Sequence, residues 1–380
     1  MRPQVDIKKI IDLRQKLHKF PQLSMYEDHT IEILKRFFQR YHPSQVLEFS
    51  NAIGFAFGGI NDQPPIVFRA ELDALPIEET LQMTYSSVNS GISHKCGHDG
   101  HMAILTGLAE AIVRTGGVQW PFIILFQRAE ETLSGAIEVV SDKNFKQLNP
   151  KYIIGFHNIP GYEKNLLLIK DKEITAYVSG MKIELDFGSA HAAQREAAWH
   201  FVEVMEKLVS YLKNKILPFA RSNDADITIT HVNAGKPAFG LSPDSLRIYL
   251  TFRAFDNDVL EDLLDKVESY AKQLAKENSL KWAIEYTEDA PAVYNDSSLV
   301  DLAIDVAQSL SREVKWLSEP FRWGEDFGFY TVQYKGLYFG IGAGKDVPQL
   351  HTPEYDFPDE IIYPTIEFLF NLYLNLSQKL

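Results

Sequence analysis

Three short runs constrain this chain most: Pro65-Ile66-Val67-Phe68-Arg69-Ala70, Pro121-Phe122-Ile123-Ile124-Leu125-Phe126 and Tyr152-Ile153-Ile154-Gly155-Phe156. They are almost continuously apolar and rich in β-branched and aromatic residues, so they read as strands buried on both faces. Apolar residues recur at helical spacing before them (Ile10, Leu13, Leu17, then Ile31, Leu34, Phe38), between them over 101–114, and from Gly135 onward. Strands that alternate with helices predict an α/β domain with a largely parallel sheet.

Between about Ile174 and Glu288 the order changes. Strand (178–187), helix (191–215), strand (225–232), strand (245–255), helix (257–278) and strand (281–286) follow in a β-α-β-β-α-β order, the ferredoxin-like pattern. The first pattern then resumes with a helix over 298–311, a strand over 337–341 and a closing amphipathic helix over 360–376. The expectation is a discontinuous larger domain, 1–175 with 288–380, carrying an inserted ferredoxin-like domain, 176–287. A length of 380 residues accommodates both, at about 150 residues per domain.

Charge and cysteine usage narrow the function. With 38 basic and 51 acidic side chains the net charge is −13, which repels phosphate backbones and anionic lipid, so nucleic acid is not an expected partner. Cys96 is the single cysteine, so no intrachain disulfide can form, and a cytoplasmic location fits. The first residues lack the apolar stretch of a signal peptide, and no run of about 18 apolar residues predicts a membrane span.

Histidines and carboxylates follow the strand ends: Glu71 and Asp73, then Glu130 and Glu131, then His157, with His351 beyond the last strand. Ligands of open α/β sheets bind outside the carboxyl ends of the strands, so these residues can converge. The densest cluster is His94-Lys95-Cys96-Gly97-His98-Asp99-Gly100-His101. Cysteine and histidine suit zinc, and added carboxylates admit manganese or cobalt. A rival reading makes Cys96 a nucleophile activated at a helix start. Glu130 and Glu131, following an extended strand, are expected to point in opposite directions, as one ligand and one general base. Solvated helix starts would equally explain that pair and the acidic pair in Gly324-Glu325-Asp326-Phe327.

Taken in order, several motifs resemble one family. They are Leu13-Arg14-Gln15-Lys16-Leu17-His18 with Pro21-Gln22-Leu23-Ser24 and Glu27; Arg69-Ala70-Glu71-Leu72-Asp73-Ala74-Leu75-Pro76; Cys96-Gly97-His98-Asp99-Gly100-His101; Phe126-Gln127-Arg128-Ala129-Glu130-Glu131; Gly155-Phe156-His157; Gly324-Glu325-Asp326-Phe327; and His351-Thr352-Pro353 with Phe357, Asp359 and Glu360. The chain resembles the aminoacylase and carboxypeptidase family of dinuclear metal hydrolases. Within it, the likeness is to the branch of hippurate hydrolases, indole-acetyl-amino acid hydrolases and N-acetyldiaminopimelate deacetylases.

The resemblance implies an aminopeptidase/carboxypeptidase-like catalytic domain with an inserted lid that also serves dimerisation. It implies two divalent ions (manganese, zinc or cobalt) held by Cys96, His98, Glu131, His157 and His351, with Glu130 as general base. Asp73 would hold a ligand imidazole in the right tautomer; Asp99 would do likewise or cap its helix. His191 of the lid would stabilise the oxyanion, and Arg253 would clamp a substrate carboxylate. The chain departs from the family pattern just after His191, where Gln194-Arg195-Glu196 replaces the usual Pro-His, and no lid asparagine precedes Pro243. Glu71 stands for a usual aspartate and Arg128 for a usual proline. The implied activity is metal-dependent hydrolysis of N-acyl amino acids or similar small amides. A dipeptidase or aminopeptidase is the alternative within enzymes, and a catalytically silent metal- or ligand-binding protein is the alternative outside them.

Overall fold

The apolar runs lie side by side in the computed structural model, which describes residues 1–60 and 62–380. Strands Phe122–Gln127, Ile66–Glu71, Tyr152–Pro160 and Gly336–Gly344 are neighbours in that order and run parallel. Every residue of Ile66–Glu71, Phe122–Gln127 and Gly336–Gly344 is buried, as strands covered on both faces must be. An antiparallel hairpin, Gln45–Phe49 with Ala52–Phe57, extends one side of the sheet. Leu167–Ile169, antiparallel to Gly336–Gly344, and then Val314–Trp316 extend the other. The sheet is therefore parallel in its middle and mixed toward its edges.

Helix His98–Thr115 packs against both Ile7–Lys19 and Ile362–Lys379. Its residues are buried without interruption from His98 to Ile112, whereas Ile7–Lys19 buries one stripe, Ile10, Leu13, Arg14, Leu17 and His18. The difference follows position: a central helix is covered all round, an outer one on one face. No helix among the described residues is long and apolar enough to cross a membrane.

The chain divides into two units: Met1–Ile174, Val293–Glu319 and Asp326–Leu380, and Thr175–Ala292 with Pro320–Glu325. The second has its own core and a four-stranded antiparallel sheet in the order Lys281–Ala290, Tyr177–Asp186, Ser245–Ala254, Ala225–Ala234. That is the ferredoxin-like strand order. Helices Arg195–Tyr211 and Asn257–Glu277 bury Phe201, Val204 and Leu208, and Leu260, Leu263, Val267 and Leu274.

The second unit is wider than the expected 176–287. Strand Lys281–Ala290 runs past Tyr286 to pair Ala290 with Val178, and a bridge from Thr175 to Phe321 adds Pro320–Glu325. The single helix expected over 191–215 is instead Arg195–Tyr211, a π-helical turn Leu212–Ile216, and Leu217–Ser222. Pro218 cannot donate to the carbonyl four residues back, and a π turn absorbs that loss.

Candidate metal centre

Gly97 precedes the central helix with φ +99°, and a Cβ there would stand 2.4 Å from Asn158 Oδ1. Glycine satisfies both the left-handed backbone and the close approach, and it places Cys96 and His98 on either side of the turn. His157 lies inside strand Tyr152–Pro160, which continues beyond the expected end at Phe156. His351, at φ +63°, is fixed by its amide donating to the Lys95 carbonyl at 2.8 Å.

These segments bring together the donors named from the sequence. Cys96 Sγ is 3.4 Å from His157 Nε2 and 3.4 Å from His351 Nε2, which lies 3.5 Å from Glu131 Oε2. His98 Nε2 is 3.8 Å from both Glu130 Oε2 and Glu131 Oε1. Cys96, His98 and His157 are buried, while the His351 side chain is half exposed and opens the cluster to solvent.

Two imidazoles are oriented in one way. His98 Nδ1 meets the Asp73 main-chain carbonyl at 2.9 Å, and His157 Nδ1 meets that of Asn158 at 2.9 Å. Each Nε2 is thereby turned toward the cluster, and His98 Nε2 is buried there without a hydrogen-bond partner. A sulfur, imidazole nitrogens and carboxylate oxygens within ligating reach of one another, with imidazoles pinned through Nδ1, fit a divalent transition metal.

The electrostatics agree. Burial works to lower the His98 pKa, but its bond with Asp73 and the charges of Glu71 and Glu131 outweigh it and raise it to about 10. The cluster's negative charge thus attracts a cation. Burial, with Glu131 and Glu130, pushes the Cys96 thiol well up. A nucleophilic cysteine needs the opposite, a stabilised thiolate, which this burial and these carboxylates disfavour.

Two expectations change and a third is extended. Glu130 and Glu131 do not diverge: residue 129 leaves the extended strand at φ +57°, and both carboxylates turn toward His98. His98 Nδ1 meets the main-chain oxygen of Asp73 at 2.9 Å and stands 3.5 Å from its carboxylate Oδ1, while Oδ2 accepts the Glu131 amide at 2.9 Å and Ser24 Oγ at 2.7 Å. Asp99 neither caps its helix nor holds a ligand; it accepts from His18 Nδ1 at 2.9 Å and faces Arg14 at 3.4 Å.

His191 and Arg253 belong to the second unit. His191 is exposed, its Nδ1 accepting the Ala193 amide at 3.1 Å, and its backbone bridges to Leu241. Arg253 is exposed on strand Ser245–Ala254.

The sequence left His101 without a role. Its Nδ1 lies 2.6 Å from Glu71 Oε2 and its Nε2 2.6 Å from Asn158 Oδ1, so both nitrogens are engaged, and its ring meets His157 edge-on at 4.8 Å. Asn158 also donates to Tyr355 Oη at 2.6 Å, tying the His351 loop to the His157 strand. Asp326 is buried and accepts from Arg69, from Gln127 Nε2 at 2.7 Å and from the Ala136 amide at 2.9 Å, a structural anchor for the turn beyond Glu131.

The family model "Peptidase family M20/M25/M40" matches residues 67–375. The chain is 28% identical over 375 residues to N-acetyl-L-cysteine deacetylase of Bacillus subtilis, covering 96% of this chain and 87% of the relative. It is 27% identical over 358 residues to hippurate hydrolase of Campylobacter jejuni, covering 92% of each. Among solved structures, a dinuclear metal binding peptidase from the M20 family, the YXEP protein of Bacillus subtilis, superposes with a TM-score of 0.82 at 23% identity, covering 98% of this chain and 99% of that one.

Proposed function

The chain belongs to peptidase family M20/M25/M40, and from that premise we propose a metal-dependent amidohydrolase that cleaves N-acyl amino acids or similar small amides with water. The observation that carries the reading is the convergence of Cys96, His98, Glu131, His157 and His351 from separate segments, with His98 and His157 pinned through Nδ1. These five residues would hold two divalent ions, manganese, zinc or cobalt. Such ions polarise a scissile carbonyl and make a bound water more acidic. Relatives named for N-acetyl-L-cysteine and for hippurate support small N-acyl substrates.

Glu130 is the proposed base. Its position beside the donor cluster, with one oxygen 3.8 Å from His98 Nε2, supports its taking a proton from the attacking water. As the water oxygen bonds to the carbonyl carbon and the C–N bond breaks, Glu130 passes that proton to the departing nitrogen. Asp73 supports the step through the Glu131 amide. His191 is the proposed oxyanion donor and Arg253 the proposed clamp for a substrate carboxylate. Arg253 is exposed and makes no ion pair among the described residues, which suits that use.

We further propose a cytoplasmic homodimer joined through the second unit. Edge strand Ala225–Ala234 supports this, with Ile229 and Val232 exposed on an open sheet edge.

The test is amine release from N-acetyl, N-benzoyl and indole-acetyl amino acids beside simple dipeptides, with manganese-loaded and chelator-stripped protein. Metal-dependent turnover of the acyl substrates is the expected result. Preference for dipeptides with a free α-amino group would favour the peptidase reading. No turnover by protein holding two metals per chain would favour a silent binding protein.

A further inference from the structure

We infer that Glu27, together with Arg128, is a positioning residue for the Glu130–Glu131 pair, clamping the left-handed Ala129 from which both carboxylates hang. What the pair does is taken from the function proposed above; the clamp itself rests on contacts within the first unit.

Ala129 has φ +57°, a conformation costly for a residue with a Cβ. It is fully buried, so water cannot satisfy its amide. That amide donates to Glu27 Oε1 at 3.0 Å. Glu27 is fully buried, and its other oxygen accepts from Arg128 Nη1 at 3.2 Å. Arg128 is itself held, its guanidinium on Asp28 and its amide donating to the Asn51 carbonyl at 2.8 Å. Glu27 occupies the N-cap position of helix Asp28–Phe38 but makes no side-chain cap bond there. Its carboxylate reaches instead across 102 residues of sequence to one amide.

The far side of the turn is closed as well. The Ala129 carbonyl accepts the amides of Ser134 at 3.2 Å and Gly135 at 3.1 Å, and Leu133 donates to Glu130 O at 2.7 Å. A Cβ at Gly135 would lie 1.7 Å from the Arg128 carbonyl, so glycine is required for the turn to close. Successive side chains on extended backbone diverge. The left-handed residue takes the chain out of the strand into the turn 130–133, in which Glu130 and Glu131 face one imidazole, and Glu27 supplies the bond that holds it.

The experiment compares Glu27→Ala, Glu27→Gln and the double variant Glu27→Ala/Ala129→Gly with wild type. The readouts are kcat, KM, bound metal per chain and amide hydrogen exchange of a peptide covering residues 127–134. Glu27→Ala is expected to lower kcat by about 10²-fold, with KM within about twofold and metal content unchanged. Exchange should speed up in that peptide but not in core strands. Glu27→Gln, which keeps an acceptor for the Ala129 amide, is expected to stay within about threefold of wild type. Glycine at 129 removes the left-handed penalty and is expected to restore kcat by about tenfold in the double variant. Wild-type kcat in Glu27→Ala, unchanged exchange at 127–134, or an equal loss in Glu27→Gln overturns the inference. If Glu27→Ala does not fold, the Glu27→Gln exchange and kcat decide alone, fast exchange or lost turnover counting against. If wild type hydrolyses none of the substrates, the proposed activity fails, while the exchange comparison still decides the clamp.

Discussion

A base and a ligand that serve the same reaction must face the same point, and adjacent residues on a strand cannot do so. Glu130 and Glu131 manage it because Ala129 turns the chain before them. Their proposed division of labour gives a clear pair of outcomes. Glu130→Gln should keep both metals and lose about 10²–10⁴-fold in kcat, while His157→Ala should lose metal by elemental analysis; the reverse pattern would sink the assignment. At Gly97, alanine would meet Asn158 at 2.4 Å and occupy a left-handed φ. Gly97→Ala should therefore cost at least about 1 kcal/mol in chemical denaturation and weaken metal binding, since it shifts Cys96 and His98 together. A Gly97→Ala protein with wild-type metal affinity would show that the turn does not set the donors.

Helix Ile7–Lys19 contributes more than an apolar stripe to the first unit. Arg14 donates to Asp356 and Asp359 at 2.9 Å each, and His18 bonds Asp99 and Glu79 at 2.9 Å each. Burial works to lower the His18 pKa, but its bonds to Asp99 and Glu79 outweigh it and raise the value to about 9 from an ordinary 6.5. A group whose folded pKa is raised adds stability that is complete below its unfolded pKa and lost as pH climbs through its folded one. The His18 contribution, roughly 3 kcal/mol, should therefore disappear between pH about 6.5 and 9. Melting temperatures taken across that interval should fall less steeply for His18→Asn than for wild type; parallel curves would show that His18 is not the titrating group. Elements of this kind mark the limit of legibility. Apolar runs, helical spacing and the β-α-β-β-α-β order are local patterns, and they gave the parallel centre of the sheet and the antiparallel second unit. The left-handed Ala129, the Asp73 carbonyl on His98 and the His101–Asn158–Tyr355 chain depend on partners far apart in sequence, which no local pattern encodes. For the π turn Leu212–Ile216 the local signal is Pro218, which breaks regular helical bonding just beyond it.

At the scale of the whole chain, the two units have separate cores, and Cys96, His98, Glu131, His157 and His351 all belong to the first. A metal held by these residues binds the folded first unit and stabilises it, by about 2.7 kcal/mol per site at a free concentration one hundred times the Kd. Calorimetry of loaded and chelated protein should show one transition moving upward with metal while another stays in place. A single transition that shifts as a whole would mean that the units unfold together. Strand order has a consequence for synthesis. Gly336–Gly344 lies between Tyr152–Pro160 and Leu167–Ile169, although the entire segment Thr175–Ala292 is translated first. A nascent chain can complete the inserted β-α-β-β-α-β fold on the ribosome while the larger sheet still presents two unpaired inner edges. That interval ends only when Gly344 has left the exit tunnel, so slow translation of the segment from Val293 to Gly344 lengthens the time in which half-built sheets of neighbouring polysomal chains can pair with each other.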